Sequence, residues 1–351
     1  MSNGHTTPSH PSGTRVEPLL AVNPAGQVEL GDPELSAKIT VGMAQVEELM
    51  QGELASGEDF LVDKVLHLAQ AGGKRFRPMF ALLAAQYGEE SGSRAVIKAG
   101  AVVEIVHLAT LYHDDVMDEA ELRRGVESAN QRWSNSIAIL AGDILLAHAS
   151  QIMSELGSAT VAHFAETFGE LVTGQMRETI GPRDEDPIEH YTKVIQEKTG
   201  VLIASAGYLG ALHGGASEDH IDALRRYGSA IGMIFQIVDD IIDIFSDPEE
   251  SGKTPGTDLR EGVFTLPVLY AMAEDSVVGA ELRERLTGPV TDDATVDRVL
   301  ELLGRSSGRE RAVEEINGYL QEAEKQLDRL PQNNVTAALR SLAEFSAQRL
   351  G

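Results

Sequence analysis

Apolar residues recur at helical spacing along most of the chain, and this pattern restricts the possible folds more than any other feature. From Val102 to Val116 they follow the i, i+3, i+4, i+7 spacing of one helix face, and Val296 to Leu303 repeat it. Sustained alternation of apolar and polar residues is missing, as are Asn-Gly or Asp-Gly turns between β-branched segments. Glycine-containing breaks separate the helical segments, at Gly72-Gly73, Gly181-Pro182, Gly214-Gly215 and Gly252 to Gly256. With helices of about 11–12 residues on average, the sequence predicts an all-α fold with on the order of ten or more helices.

The first 32 residues differ in composition from the rest. They are rich in Ser, Thr, Pro, Gly and His, and few large apolar residues follow Leu20. Such a segment cannot bury enough apolar surface to fold by itself, so we expect residues 1–32 to form a mobile tail. Residues 33–351 are expected to form a single helical catalytic domain, since a chain of this length can bury a large core.

The charge balance and the absence of cysteine exclude several classes of protein. The formal net charge of −26 disfavours nucleic acids and anionic lipids as partners. With no cysteine the chain forms no disulfide, cysteine–zinc site or cysteine nucleophile, which suits a reducing cytoplasm. Residues 1–15 lack the apolar core of a secretory signal, and we expect no transmembrane segment.

The pattern Asp-Asp-x-x-Asp occurs twice, each time at the end of an apolar helical segment. Its members are Asp114, Asp115 and Asp118 in the first cluster, and Asp239, Asp240 and Asp243 in the second. Positions i and i+4 lie about 40° apart on a helix, so the outer aspartates of each cluster point the same way. Three carboxylates at one helix end repel each other unless cations lie between them. A single cluster could be only a solvated acidic face, but two copies within apolar helices favour a functional site.

Oxygen-only ligands indicate a hard cation. Mg²⁺ takes one or two carboxylates, several waters and phosphate oxygens of a substrate. EF-hand spacing is absent, because the central Gly and the terminal Glu are missing.

Basic residues are scarce, and several of them fall in short motifs. These are Lys74, Arg75 and Arg77 after a Gly-Gly pair, Arg123 and Arg124 after the first cluster, Lys198 in Glu-Lys-Thr-Gly, and Lys253 after the second cluster. Each alone is more often a solvated face or a turn. Neither glycine segment has Walker A spacing. Cations combined with two metal clusters predict a polyphosphate ligand, because Arg and Lys bind phosphate oxygens.

These motifs, in this order over about residues 60–270, resemble the trans-isoprenyl diphosphate synthase family, particularly its medium- and long-chain members. The resemblance implies an isoprenoid-synthase-type bundle of ten or more helices around a central cavity. It also implies a homodimer, and an activity that joins isopentenyl diphosphate to an allylic diphosphate (geranyl, farnesyl or geranylgeranyl). The chain departs from some members at its C-terminus, which lacks a run of basic residues.

The resemblance implies a role for each motif residue. About three Mg²⁺ would be held by Asp114, Asp115, Asp118, Asp239, Asp240 and Asp243. The allylic diphosphate would contact Arg123, Lys198, Thr199, Gln236 and Lys253, and isopentenyl diphosphate would contact Lys74, Arg77, His107 and Arg124. Without the resemblance, His107 would more often be a core histidine whose hydrogen bonds are satisfied.

The positions one turn before Asp114 would form the floor beneath the growing chain. They are Ala109 and Thr110, both small, whereas bulky aromatics there give short products in this family. We therefore expect a product of about C30 to C50, such as a quinone side chain, with a C20 geranylgeranyl product as the alternative. Alternatively, Ala109 and Thr110 are small only because they take part in ordinary helix packing.

Other functions fit the motifs less well. A class I terpene cyclase shares the fold and the first cluster, but its second motif differs and it would not need Lys74 and Arg77. Head-to-head synthases differ in motif form, and non-catalytic partner subunits usually lack the aspartate motifs. A metal-dependent phosphohydrolase would need more histidine ligands at fitting spacing.

Overall fold

The protein is almost entirely helical in a computed structural model that describes residues 30–246 and 255–348. In chain order the first helices are α1 Pro33–Leu54, α2 Asp59–Gln70, α3 Phe76–Ala84, α4 Arg94–Met117, α5 Ala129–Arg132, α6 Asn135–Leu156, α7 Ser158–Ile180 and α8 Pro187–Ile195. The later helices are α9 Val201–Gly214, α10 Glu218–Phe245, α11 Thr257–Glu261, α12 Leu266–Met272, α13 Val277–Arg285, α14 Asp293–Leu303, α15 Gly308–Leu327 and α16 Asn334–Gln348. A 3₁₀ turn, Ala85–Tyr87, follows α3, and a π-helical segment, Gln196–Gly200, joins α8 to α9. The predicted all-α class is confirmed.

The first helix begins where the sequence predicts the end of the tail. Asp32 caps α1 by accepting a hydrogen bond from the amide of Leu35 at 2.7 Å, and Pro33 occupies the first helical turn. Leu30 is already buried in the core, and its amide donates to Ser36 Oγ. The tail itself stays a prediction, since residues 1–29 lie outside the described part of the chain.

The fourth helix runs through the centre of the bundle. It packs against α1, α3, α6 and α9. The apolar face predicted from the sequence is buried, including Val102, Ile105, Val106, Ala109 and Tyr112. Because this helix ends at the first aspartate cluster, the core fixes where those carboxylates lie.

A smaller apolar cluster lies beside the end of α10. It is built from Ile244 and from buried residues of α11 to α14, including Leu259, Val268, Val296 and Leu303. It packs α11 next to the second aspartate cluster.

The described residues contain one β-hairpin, which the sequence did not predict. Strands β1 Leu122–Arg123 and β2 Val126–Glu127 pair antiparallel, with Arg123 opposite Val126. Arg124 and Gly125 form the turn with φ of 53° and 78°, as a two-residue turn of the I′ kind requires. A hairpin this short is not stable alone, so its position depends on side-chain contacts with the helices.

Two described helices, α4 and α6, are long and apolar enough to cross a membrane by length and composition alone. In α4, 72% of the apolar window is buried inside the protein, as expected for a core helix. The corresponding share in α6 is 39%, so much of its apolar surface faces outward.

Candidate active site

A cavity of about 540 Å³, here called the outer cavity, lies between the C-terminal ends of α4 and α7. Its other walls come from α8, the π-helical segment, α10 and α11. The predicted site residues that line it are Asp118, Lys198, Thr199, Gln236 and Asp240. A cavity of about 500 Å³ between α1 and the start of α4 is lined by none of the predicted site residues.

The first aspartate cluster ends α4 at this cavity. Asp118 lines the outer cavity, while Asp114 lines an adjoining inner cavity of about 90 Å³. Burial raises the pKa of Asp114 to about 6, although the Lys198 ammonium opposes the shift. Asp115 is fully buried and accepts a hydrogen bond from Arg123 Nε at 2.6 Å. A buried carboxylate at this position therefore depends on positive charge beside it.

Lys198 lines both cavities and lies within the π-helical turn Gln196–Gly200. Such turns occur often at functional sites. The turn packs closely on α7, where a Cβ added to Gly174 would lie 2.9 Å from the backbone nitrogen of Lys198. Lys198 Nζ lies 2.6 Å from Glu178 Oε2. Burial lowers the pKa of Lys198, but Glu178 and Asp114 outweigh burial and raise it, so this lysine stays charged.

In the second cluster the middle aspartate faces the outer cavity. Asp240 accepts hydrogen bonds from Tyr191 Oη at 2.6 Å and from Gln236 Nε2 at 3.1 Å. Burial raises its pKa to about 7, although the Tyr191 and Gln236 hydrogen bonds oppose the shift. Gln236 also accepts from Thr199 Oγ1 at 3.2 Å. These contacts join the predicted polar residues Thr199 and Gln236 into one network with Asp240.

The outer members of the second cluster occupy different environments. Asp239 is exposed, whereas Asp243 is nearly buried and its Oδ2 accepts from the amide of Asp258 at 3.2 Å. That bond fastens the start of α11, which carries Asp258 and Glu261 into the outer cavity. Burial, together with Asp118 and Asp243, raises the pKa of Glu261. Carboxylates therefore reach the outer cavity from α4, α7, α10 and α11.

A second group of cations lies around the buried carboxylate of Glu104. Arg75 Nη1 lies 3.0 Å from Glu104 Oε1, and Arg124 Nη2 lies 3.7 Å from it. Arg77 Nε is buried without a hydrogen-bond partner among residues 30–246 and 255–348. Burial lowers the pKa of Arg77 to about 10 and lowers that of His107 far below its usual range, with Arg77 and Arg124 adding to the shift of His107. The site therefore combines charged guanidinium groups with a neutral imidazole.

The other basic residues that the sequence singled out lie in different surroundings. Lys74 is exposed at the end of the loop before α3. Arg75, which we predicted only as part of a basic run, is held by Glu47 and Glu104 and by the carbonyls of Ala69 and Gly72. Lys253 lies outside the described residues.

The two positions predicted to form the chain-length floor face different surroundings. Thr110 lines the inner cavity, and its hydroxyl donates to the carbonyl of His107 at 2.9 Å. Ala109 is fully buried in the core and lines neither cavity. Tyr112 points away from both, toward α2, where its hydroxyl contacts the backbone of Lys64 and Leu68.

The donor set fits hard divalent cations. Every candidate ligand is a carboxylate, and Asp115 Oδ2 is buried without a hydrogen-bond partner in the part of the chain that the structure describes. No three His, Asp or Glu side chains of that part lie close enough together to hold an ion alone. Side chains would therefore supply only part of the coordination, as is usual for Mg²⁺ bound with waters and substrate phosphates.

Several residues of the site were not predicted from the sequence. Gln175 and Glu178 come from α7, Tyr191 from α8, and Asp258 and Glu261 from α11. Asp258 follows the second cluster within Gly-Thr-Asp, which is a weak signal. The residues of α7 and α8 carry no sequence signal, because only packing brings these helices to the aspartates.

Comparison with known proteins identifies the family. The polyprenyl synthetase family model matches residues 58–303. A nonaprenyl diphosphate synthase of Mycobacterium tuberculosis is 51% identical over 325 residues, which cover 92% of this chain and 97% of that protein.

Solved structures agree with this match. The geranylgeranyl pyrophosphate synthase of Corynebacterium glutamicum, complexed with calcium and isoprenyl diphosphate, is 69% identical with a TM-score of 0.86, covering 92% of this chain and 100% of that chain. The polyprenyl synthase of Caulobacter crescentus, complexed with the same ligands, is 32% identical with a TM-score of 0.82, covering 90% of this chain and 97% of that chain. With Asp118 and Asp240, one from each aspartate cluster, lining the same cavity as Lys198, the chain belongs to the polyprenyl synthetase family and is a prenyltransferase of the trans-isoprenyl diphosphate synthase type.

Proposed function

We propose that this protein condenses isopentenyl diphosphate with an allylic diphosphate to make a trans-polyprenyl diphosphate, with Mg²⁺ as its metal. The observation that carries the proposal is the outer cavity, where carboxylates from four helices line the same space as the charged Lys198. Carboxylates and an ammonium group in one cavity suit a diphosphate held by metal on one side and by fixed cations on the other.

About three Mg²⁺ would be held by Asp114, Asp115, Asp118, Asp239, Asp240 and Asp243. The ions would neutralise the charge that develops on the departing diphosphate. Support comes from the orphaned Oδ2 of Asp115 and from the raised pKa values of Asp114 and Asp240, because each favours a cation nearby. The structures of the Corynebacterium and Caulobacter relatives contain calcium, which prefers the same oxygen ligands.

The allylic diphosphate would contact Arg123, Lys198, Thr199, Gln236 and Lys253. Lys198 supports this role by lining both cavities, and Thr199 and Gln236 by their bonds to the network around Asp240. Isopentenyl diphosphate would contact Lys74, Arg77, His107 and Arg124. The buried, unpartnered Nε of Arg77 supports the second assignment, because it has a donor available for an anion.

The reaction breaks the bond between the allylic carbon and the diphosphate oxygen, and the diphosphate leaves with the electron pair. The double bond of isopentenyl diphosphate attacks the allylic carbon, forming one carbon–carbon bond. A proton then leaves the adjoining carbon, and the departed diphosphate would accept it. The protein orients both substrates, and the apolar wall of the inner cavity keeps water from the allylic cation.

Two product lengths have support. A product of about C30 to C50 is favoured by the small Ala109 and Thr110 and by the similarity to a nonaprenyl diphosphate synthase. A C20 product is the alternative, favoured by the 69% identity to a geranylgeranyl pyrophosphate synthase.

The protein is proposed to act as a homodimer in the cytoplasm. A broad apolar surface on α6 and α7 supports the dimer, because a second copy would cover it. Its exposed members are Ile139, Leu140, Val161, Val172, Met176 and Ile180.

The test is incubation of the purified protein with radiolabelled isopentenyl diphosphate, farnesyl diphosphate and Mg²⁺, followed by chain-length measurement. We expect labelled polyprenyl diphosphate, and turnover lower by orders of magnitude in Asp114→Ala and Asp239→Ala. Unchanged turnover in either variant contradicts the proposed metal roles. Incorporation absent with every allylic primer would instead indicate a cyclase or a subunit that needs a different partner.

A further inference from the structure

The hairpin of β1 and β2 is fastened near its turn by the two side chains that are proposed to bind diphosphate. Arg123 Nε donates to Asp115 Oδ1 at 2.6 Å, and Arg124 Nη1 donates to the carbonyl of Leu68 at 3.1 Å. A hairpin with two paired residues in each strand is not stable alone. A contact that leaves both guanidinium groups out would hold the hairpin in place while they bind an anion.

His67 supplies such a contact from α2. Its side chain is buried, and its Nε2 lies 2.7 Å from the carbonyl oxygen of Glu127 in β2. On the other side of the ring, Nδ1 lies 3.1 Å from Arg132 Nη1. A carbonyl oxygen only accepts and a guanidinium only donates, so Nδ1 accepts from Arg132 and Nε2 donates to Glu127. The two neighbours therefore determine which nitrogen carries the proton and which way the ring faces.

Trp133 packs against both the imidazole and the guanidinium. Its indole lies edge-on to the His67 ring, with centroids 5.2 Å apart and planes 77° apart. The Arg132 guanidinium carbon lies 4.9 Å from the indole centroid. Turning the His67 ring over would therefore break its bonds with Glu127 and Arg132 together.

The part of α2 that carries His67 is itself fixed to the core helix α4. The hydroxyl of the fully buried Tyr112, on α4, donates to the carbonyl of Lys64. The same hydroxyl accepts from the amide of Leu68 at 3.3 Å. His67 lies between these two contacts, so it connects the hairpin to a segment that the core holds.

We propose that His67 is a positioning residue, which holds the hairpin so that Arg123 and Arg124 are in place before the substrates bind. The inference rests on the proposed function, because it takes these arginines as diphosphate contacts. His67 lines neither the outer nor the inner cavity, so it acts only through the hairpin. Ordering the hairpin in advance removes an entropic cost from substrate binding. Loss of the contact should therefore weaken binding more than it slows the enzyme once substrate is bound.

The test compares His67→Asn with His67→Gln in the full-length protein. Both variants carry an amide, but the Gln amide reaches about as far as Nε2, whereas the shorter Asn amide ends near the position of Nδ1. Initial rates are measured with radiolabelled isopentenyl diphosphate varied at saturating farnesyl diphosphate and Mg²⁺. In His67→Asn we expect the KM for isopentenyl diphosphate to rise about 5-fold or more while kcat stays within about 2-fold. In His67→Gln both constants should stay within about 2-fold of the wild-type values.

His213→Asn is the matched control, because it removes a histidine hydrogen bond away from the hairpin. His213 Nε2 lies 2.8 Å from Thr160 Oγ1, and His213 lines neither cavity. This variant should melt at a lower temperature and keep the wild-type KM. Hydrogen exchange of the unliganded proteins, followed by mass spectrometry, gives a readout that does not depend on activity. Backbone amides 122–127 should exchange faster than in the wild type in His67→Asn but not in His213→Asn.

The outcomes separate this inference from the proposed function. A wild-type KM in His67→Asn would overturn the role of His67 while leaving the reaction intact, and so would equal rises in His67→Asn and His67→Gln. Lower kcat at an unchanged KM would show that His67 only supports the fold. A wild-type protein that incorporates no label would overturn the proposed function, and the inference with it. If His67→Asn does not fold, judged by circular dichroism, His67→Leu replaces it with the same expected and contradicting results.

Discussion

Arg123 donates a hydrogen bond from Nε to Oδ1 of Asp115 at 2.6 Å, and the other oxygen, Oδ2, is buried without a partner in the described residues. Arg123 of the hairpin thus pairs with one oxygen of the buried Asp115 carboxylate, while the other oxygen stays available to a cation. Burying an anion is costly unless it is paired, so this arrangement is stable only with positive charge close to both oxygens.

Replacing Asp115 by Asn should lower turnover by about 100-fold or more, because one metal-facing oxygen and the pair with Arg123 are lost together. The Mg²⁺ concentration needed for half-maximal rate should also rise. Steady-state rates over a Mg²⁺ titration measure both effects. Asp275→Asn, at an exposed aspartate between α12 and α13, serves as the control. An unchanged Mg²⁺ titration in Asp115→Asn would remove this residue from the metal site.

Replacing Arg77 by Gln should raise the KM for isopentenyl diphosphate by about 10-fold or more, as expected for loss of a charged hydrogen-bond donor. The KM for the allylic diphosphate should change much less, because Arg77 lines neither the outer nor the inner cavity. Lys74→Ala should act in the same direction. Initial rates with one substrate varied at a time measure the two constants. Arg285→Gln, at a surface pair with Glu281, should leave both unchanged. Equal rises for the two substrates would contradict the assignment.

The double substitution of Leu140 and Met176 by Glu should convert a dimer into a monomer. These residues are 56% and 58% exposed on α6 and α7, and charge placed at an apolar interface loses its hydration when a second copy binds. Sedimentation velocity measures the change. Phe60→Glu, on α2, should leave the dimer intact. A wild-type protein that sediments as a monomer contradicts the proposed interface.

His163 should make the fold less stable in mild acid. Burial lowers its pKa to about 4, below the value of 6.5 expected when unfolded. The folded protein therefore favours the neutral ring, and this stabilisation is complete above pH 6.5 and decreases as the pH falls toward 4. His163→Gln should remove roughly 1 to 2 kcal/mol of the loss in unfolding free energy between pH 7 and pH 5. Urea denaturation of both proteins at the two pH values measures it. Parallel pH dependence in both would show that His163 does not contribute.

The helical fold could be predicted because the spacing of apolar residues along one helix indicates which face of that helix is buried. The face from Val102 to Tyr112 is buried as its periodicity indicates, and α7 and α9 end at the glycine breaks. The hairpin was not predicted because its turn is formed by Arg124 and Gly125. Arginine rarely adopts the left-handed conformation that Arg124 has here, so its presence in a sequence does not indicate such a turn.

The site was predicted only where residues are close in sequence. The aspartate clusters and Lys198 could be predicted, since each motif lies on one helix or turn. The residues Glu178, Tyr191 and Glu261 could not be predicted, because they reach the cavity only after α7, α8 and α11 have packed. Similarly, Asp114 and Asp118 share a helix face but line different cavities, because helices packed around that face divide the space beside it.

At the turn of the hairpin, glycine would favour folding stability, whereas the arginine found there is proposed to bind substrate. Arg124 holds a positive φ of 53°, a conformation that costs a non-glycine residue about 1 to 3 kcal/mol and costs glycine almost nothing. Arg124→Gly would therefore relieve backbone strain while it removes a guanidinium from the site around Glu104. A variant library screened for heat resistance alone would favour glycine at this position, and one screened for growth that depends on the prenyl product would retain arginine.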